Sequence, residues 1–398
     1  MNSPSTFDSN DDPVELDLEP LVYDEWHRDA PGTAQLLPVI ERASSFLSGR
    51  ALSVRTRKPF TPTDAVLDIE LDDGRSAFVR ILMSNGDDPA TEEWKRARVF
   101  AELSILRWLE INAPGVPVPR VIAFDDPNGV LITTLMPGLD ALHAYPQLSN
   151  SAKEHSVSSW ARLSVLMFRL PAPQRRFGLI ANPLLSTSYY SVSPKHVFQI
   201  EDSATLLCFF EKAVSARRAR SASVNNAEDQ EILCRHLDRL LEGLKADIAL
   251  AEETPHLTRS ALTHCDLRPN NVILDPTSGD VVGIVDWEYN AAMPACMSTV
   301  YPGWIRPSII ESSSYKNPKS TFHTVYLESR ERRNLLCDLY EKTVKELDAE
   351  YYHCLIQGTR LRDALAWIEN GYSDHDGFAM NLWVESHLWG DETNHRCA

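Results

Sequence analysis

No stretch of the 398-residue chain runs for the roughly 18 uninterrupted apolar positions that cross a bilayer, so no helical membrane span is expected. Positive charge is scarce: 39 Lys and Arg stand against 56 Asp and Glu, a formal charge of −17. Such a balance opposes general affinity for phosphate backbones and anionic lipid surfaces, and neither nucleic acid nor membrane is expected as a partner. Close cysteine pairs are also missing. Cys208, Cys234, Cys265, Cys296, Cys337, Cys354 and Cys397 lie singly, which excludes a local zinc knuckle or redox pair and predicts reduced, mostly buried thiols, with Cys265 a packing residue. Internal repeats are absent. The opening MNSPSTFDSNDDPVELDLEP has no basic leader before an apolar stretch, so a cytoplasmic location is expected.

The chain does contain a marked acidic start: nine acids face one base, Arg28, within residues 1–30. Residues 1–20 are rich in Ser, Pro and Asp and read as a disordered acidic tail. Residues 21–49 have mixed helical patterning, clearest in VIERASSFL, and are expected to form a helical extension. Period-two alternation follows in AVLDIEL (65–71) and SAFVRIL (76–82), joined by a DDG turn, which predicts a hairpin. From Thr91 to Asn112, the apolar residues Trp94, Ala97, Val99, Phe100, Leu103, Leu106 and Leu109 recur at mostly helical spacing. RVIAF (120–124) and VLITTLM (130–136) read as a second hairpin ending at Pro137-Gly138.

Beyond Leu142 the patterning becomes helical, over Ser151–Arg169, Asp202–Arg217, Ala227–Ala251, Glu328–Tyr352 and Arg360–Glu369, with a short β island at 261–287. SARRARSASVNN (215–226) reads as a solvated loop. The organisation is an α+β arrangement: a β-rich lobe over 50–138, then a helical lobe over 139–398 holding the segment 262–290.

That segment, ALTHCDLRPNNVILDPTSGDVVGIVDWEYN (261–290), concentrates the chemistry. NVIL and VVGIVDW are apolar strands joined by the turn DPTSGD, and such a hairpin brings Asn271 close to Asp286. The loop from His264 to Asn270 projects Asp266 towards the same edge. Phosphoryl transfer from a nucleotide needs divalent cations on the phosphates, hard oxygen ligands for those cations, and a carboxylate to take the attacking hydroxyl's proton. Asp266 fits the base, and Asn271 and Asp286 fit the metal ligands. His264, grouped with Asp266 as a catalytic-loop residue, is expected to brace the loop by hydrogen bonding. Asp275 and Asp280 read as turn residues.

His-x-Asp-x-x-x-x-Asn followed by a turn and Asp286-Trp287-Glu288 resembles the aminoglycoside phosphotransferase and choline kinase family, over roughly residues 50–310. Trp287-Glu288 stands where protein kinases carry Phe-Gly. Tyr301-Pro302-Gly303-Trp304 resembles fungal small-molecule members. The resemblance implies a bilobal protein-kinase-like fold, with ATP and Mg2+ as cofactors and a small-molecule hydroxyl acceptor. It places Arg80 where a phosphate-binding lysine would stand and Glu102 as its partner. Residues 133–137 become the hinge, with backbone at Thr133 and Leu135 meeting adenine. Two departures follow: arginine is a planar fork where lysine is a compact ammonium, and the phosphate loop RTRKPFTPTD (55–64) has no glycine, leaving the Thr61 and Thr63 hydroxyls as substitutes. They motivate an alternative, an inactive nucleotide-binding pseudokinase or a fold turned to another reaction. Trp304, Trp367, Trp383 and Trp389 read as core. The acids Glu369, Asp374, Asp376 and Glu385 read as surface groups; lining the cleft, they would favour a cationic acceptor.

Overall fold

The computed structural model describes residues 23–25, 45–47, 51–57, 64–82, 89–125, 129–172, 178–179, 203–222, 226–305, 327–369 and 378–388. The acidic start 1–20 and the centre of the glycine-free loop, with Thr61 and Thr63, lie outside them.

The first lobe is a six-stranded antiparallel sheet on which one long helix packs. Its strands are β1 (Tyr23–Glu25), β2 (Ala51–Arg57), β3 (Asp64–Leu71), β4 (Ser76–Leu82), β5 (Val121–Asp125) and β6 (Val130–Thr134), in the spatial order β1-β2-β3-β4-β6-β5. Alternation fixes the register: Leu67 faces Val79 and Ile69 faces Ala77 across β3 and β4, and all four are fully buried. At the tip of this hairpin Gly74 takes a φ of 80°, which glycine adopts without a Cβ clash. Tyr23–Glu25, expected within a helical extension, is instead a strand paired with Arg55–Arg57. Its three residues gain their backbone partners from β2, an interaction that local periodicity does not encode.

Helix α1 (Pro89–Asn112) buries Val99 and Leu103 against Leu131 of the sheet, while Leu106 and Leu109 enter the core of the second lobe. One helix thus touches both lobes. After β6 the chain crosses at Pro137-Gly138 into β7 (Leu139–Asp140), which pairs with the second lobe. Gly138 has a φ of 119°, and a Cβ there would lie 2.4 Å from the carbonyl oxygen of Leu274.

The second lobe is mainly helical: α2 (Ala141–Ala144), α3 (Asn150–Arg169), α4 (Leu206–Ser221), α5 (Ala227–Glu252), α6 (Pro255–Thr258), α7 (Ala295–Ser298), α8 (Arg330–Leu347), α9 (Ala349–Gln357), α10 (Thr359–Glu369) and α11 (Phe378–His387). Two boundaries differ from the sequence reading. Helix α4 continues through Ser215–Ser221, expected as loop, because Arg217 and Ser221 are buried and Arg218 pairs with Asp238 of α5. The single helix expected over 328–352 breaks at Asp348, whose carboxylate caps α9 by accepting from the Glu350 and Tyr351 amides, both at 3.0 Å.

Two small sheets form the lobe's edge towards the first lobe. Strands β10 (Val272–Leu274) and β11 (Val281–Ile284) form a hairpin joined by β7, and β12 (Asn290–Pro294) lies between β8 (Gly178–Leu179) and β9 (Ser260–His264). Among the described tryptophans, Trp304, Trp367 and Trp383 are core residues; Trp389 lies outside the described residues. Of the described cysteines only Cys296 and Cys354 are buried, and Cys265, expected to pack, is exposed, since its strand has ended and its side chain turns from the core.

Candidate functional site

The hairpin closes on the predicted residues. The Val285 amide donates to the Asn271 carbonyl at 2.9 Å, directly beyond the Val272–Ile284 pair, so Asn271 and Asp286 leave the same strand ends. Asp286 has a φ of 64° and is the one described non-glycine residue with a positive value. Aspartate tolerates this left-handed region better than most residues, and backbone strain of this kind concentrates at functional positions. The next side chain anchors the turn: Trp287 is fully buried and donates from Nε1 to the Ile284 carbonyl at 3.0 Å.

His264 stitches the preceding loop to this turn. Its Nε2 donates to the Val285 carbonyl at 2.9 Å, and its Nδ1 accepts from the Asp266 amide at 3.2 Å. One nitrogen donating and the other accepting defines a neutral imidazole. Burial pushes its pKa below the ordinary histidine value, against the opposing pull of the Val285 bond and of Asp286 and Asp266. The ring also meets Trp287 edge-on at 4.7 Å between centroids. In this geometry His264 shapes the loop.

Asp266 then stands with each carboxylate oxygen held: Oδ1 accepts from Nε of Arg268 at 2.5 Å, and Oδ2 accepts from Nδ2 of Asn271 at 3.2 Å. Asn271 also donates to the Asp266 backbone carbonyl at 2.7 Å. The loop rests on the Tyr301–Trp304 segment, where a Cβ on Gly303 would lie 3.3 Å from Cδ of Pro269.

The first lobe reaches the same edge through Arg80. Its Nη1 donates to Oε2 of Glu102 at 2.8 Å, the pair the resemblance implied. The sequence reading missed two further residues. Nη1 also donates to Oε2 of Glu288 at 2.8 Å, and Arg98 donates to the other Glu288 oxygen. Arg80 Nη2 donates to Oδ1 of Asp286 at 2.6 Å. The available signal for Arg98 was its place one helical turn before Glu102, on the same face; for Glu288 it was a carboxylate at the end of an apolar strand. Burial disfavours charge on Asp286, but the Arg80 guanidinium, aided by Arg98, outweighs it and holds the carboxyl below its usual range. Glu288 responds oppositely: burial, reinforced by Asp286 and Glu102, pushes it up to about 7 against the pull of Arg80 and Arg98.

The two hinge positions differ. Thr133 is buried and paired with both Phe78 and Val121 inside the sheet. Leu135 lies past the end of β6, its amide donating to the Ser76 carbonyl at a long 3.4 Å. Of the acids weighed for a cationic acceptor, Glu385 is exposed and accepts from Arg239 of α5 and from Asn381 one turn earlier on its own helix α11. Asp374, Asp376 and the Glu369 side chain lie outside the described residues.

A divalent metal fits the two oxygens at the strand ends. Among the described contacts, Oδ1 of Asn271 and Oδ2 of Asp286 accept no hydrogen bond from the protein, because the bonds of both groups use their other atoms. Among the described residues no group of three or more His, Cys, Asp or Glu side chains forms a self-sufficient metal cage. Two hard oxygens suit a divalent cation that keeps waters and takes its other ligands from substrate phosphates.

A β-rich lobe carrying Arg80 and Glu102, set over a helical lobe carrying the 264–271 loop and Asp286, defines a bilobal protein-kinase-like α+β fold. The chain belongs to the phosphotransferase enzyme family, whose model matches residues 64–296, more than half its length, and it is a phosphotransferase of the kinase type. It is 27% identical over 388 residues to Clavilactone A biosynthesis cluster protein Y of Ampulloclitocybe clavipes, covering 92% of this chain and 91% of that one. It is 26% identical over 203 residues to the aminoglycoside 3'-phosphotransferase of Streptomyces fradiae, covering 50% and 61%. Among solved structures it is similar to a streptomycin–ATP–APH(2")-IIa ternary complex, with 13% identity, coverage of 89% and 96%, and a TM-score of 0.49. No helix among the described residues is long and apolar enough to cross a membrane.

Proposed function

We propose that the protein transfers the γ-phosphoryl group of ATP to a hydroxyl of a small molecule, with Mg2+ as cofactor. The observation carrying this reading is the convergence of Asp266, Asn271, Asp286 and Arg80 on one edge between the lobes. Asp266 takes the proton of the attacking hydroxyl; its partners Arg268 and Asn271 orient the carboxylate for that purpose. Asn271 and Asp286 would hold the metal, which when bound neutralises charge developing on the transferred group. Arg80 meets the phosphates, steadied from below by Glu102 and Glu288. Leu135, past the strand end, meets adenine through its backbone, its amide exchanging the long 3.4 Å bond to the Ser76 carbonyl for the base, with Thr133 in the strand before it.

The residues assigned as base, metal ligands and phosphate cation lie together, and this grouping supports transfer over an inactive pseudokinase. The acceptor is a small-molecule alcohol, and a cationic one remains compatible with the acidic charge of the chain. Incubating the protein with γ-labelled ATP, Mg2+ and a panel of hydroxylated amines and neutral polyols tests the reading. Metal-dependent label transfer to an acceptor, lost in Asp266→Ala, supports it; transfer that survives in Asp266→Ala sinks the assignment of the base.

A further inference from the structure

Arg98 and Glu102 lie four residues apart on α1, one above the other on one helix face. Glu102 accepts from Arg80, Arg80 donates to Glu288, and Glu288 accepts from Arg98. The four side chains therefore close a circuit that leaves α1 at Glu102 and returns to it at Arg98. Both Arg98 and Glu288 are nearly buried, with 10% and 4% of their side chains exposed. The Arg98 guanidinium also stands over the Tyr289 ring, 5.4 Å from its centroid, a cation–π contact within range.

The links differ in what they join. Arg80–Glu102 lies inside the first lobe and leaves its position against the second lobe open. Arg80–Asp286 and Arg80–Glu288 cross the cleft, yet Arg80 and Asp286 are assigned to phosphates and metal, so those contacts are drawn upon when a nucleotide binds. Arg98–Glu288 crosses the cleft between residues with no ligand assigned, so it persists through that exchange. Glu288 is two residues from Asp286 and shares its turn.

We propose that Arg98 is a positioning residue: by gripping Glu288 it holds α1, and through Glu102 the Arg80 guanidinium, in register with the Asp286 edge. The inference rests on the nucleotide reading above. It assigns to the Arg98–Glu288 hydrogen bond the task of setting the helix, so that no further event is needed to bring Glu102 to Arg80.

Calorimetric titration of ATP with Mg2+ into the full chain tests it, using the parent, Arg98→Met, Arg98→Lys, Glu288→Gln and the Arg98→Met/Glu288→Gln pair, each checked for folding by circular dichroism. Arg98→Met is expected to lose at least tenfold in affinity. Arg98→Lys should recover most of that, because one donor suffices for one oxygen. The pair should be no worse than its weaker single, the sign of one shared interaction. A merely structural role would lower melting temperature while leaving the affinity of the folded protein in place. Affinity of folded Arg98→Met within twofold of the parent overturns the proposal, as does a pair that loses the product of the two single effects. Should Arg98→Met fail to fold, Glu288→Gln decides: tenfold weakening supports the circuit and parental affinity overturns it. A parent that binds no nucleotide removes the nucleotide reading itself, and this inference with it.

Discussion

Nη2 of Arg80 lies 2.6 Å from Oδ1 of Asp286, so a residue of β4 holds the carboxylate that leaves the end of β11. The same guanidinium serves Glu102 and Glu288. One planar fork answering three carboxylates accounts for arginine at the position where a phosphate-binding lysine would stand, since a compact ammonium presents its donors from a single point.

Removing that fork leaves buried charge uncompensated. Arg80→Met is predicted to cost about 3–5 kcal/mol, the usual penalty for deleting one member of a buried ionic group, read as a lowered urea midpoint. Arg80→Lys should fall between the two, and a variant as stable as the parent would show that the cluster carries little energy.

Asp266→Asn is predicted to lower phosphoryl transfer by about a hundred- to ten-thousand-fold, the range for deleting a general base. Nucleotide affinity should change little, because Asp266 bonds Arg268 and Asn271 and makes no contact with Arg80. Parallel losses in turnover and affinity would instead mark it as a structural residue.

The pH dependence has a definite sign at His264. Unfolded, its imidazole takes a proton as pH falls through about 6.5; folded, burial lowers its pKa and it stays neutral longer. The unfolded state then binds more protons in that window, so stability falls as pH drops below about 6.5. Comparing urea unfolding at neutral and mildly acidic pH, the parent should lose more stability than His264→Gln. Equal losses would count against a buried neutral imidazole.

Gly138→Ala is predicted to destabilise by about 1–3 kcal/mol, the scale of a strained backbone position. Its φ of 119° and the Leu274 oxygen 2.4 Å from a built Cβ leave no relaxed place for a methyl group where the chain passes between lobes. An unchanged melting temperature would mean the crossing adjusts freely.

Much of this arrangement was legible because it is local. The hairpin around Asp275–Asp280 is written in consecutive apolar runs and a turn, and it alone brings Asn271 and Asp286 to one edge. The ordering of a β-rich lobe before a helical one follows from a switch of period along the chain. Arg98 and Glu288, 190 residues apart, became partners only through the packing of α1 on the second lobe, which no local pattern encodes. The strand Tyr23–Glu25 is similar, since its three residues are specified by the edge they join. The Asp348 break was hidden because the apolar spacing of α8 continues into α9, and only the capping geometry separates them.

The most direct test of the central claim is the melting temperature of the purified protein with and without ATP plus Mg2+, repeated with Asp286→Ala. A ligand that binds only the folded state raises the transition, so the parent is predicted to show a rise that requires both nucleotide and metal, and Asp286→Ala to show none. No rise in the parent at saturating nucleotide, or an equal rise in the variant, would contradict a metal–nucleotide site at the Asn271–Asp286 edge.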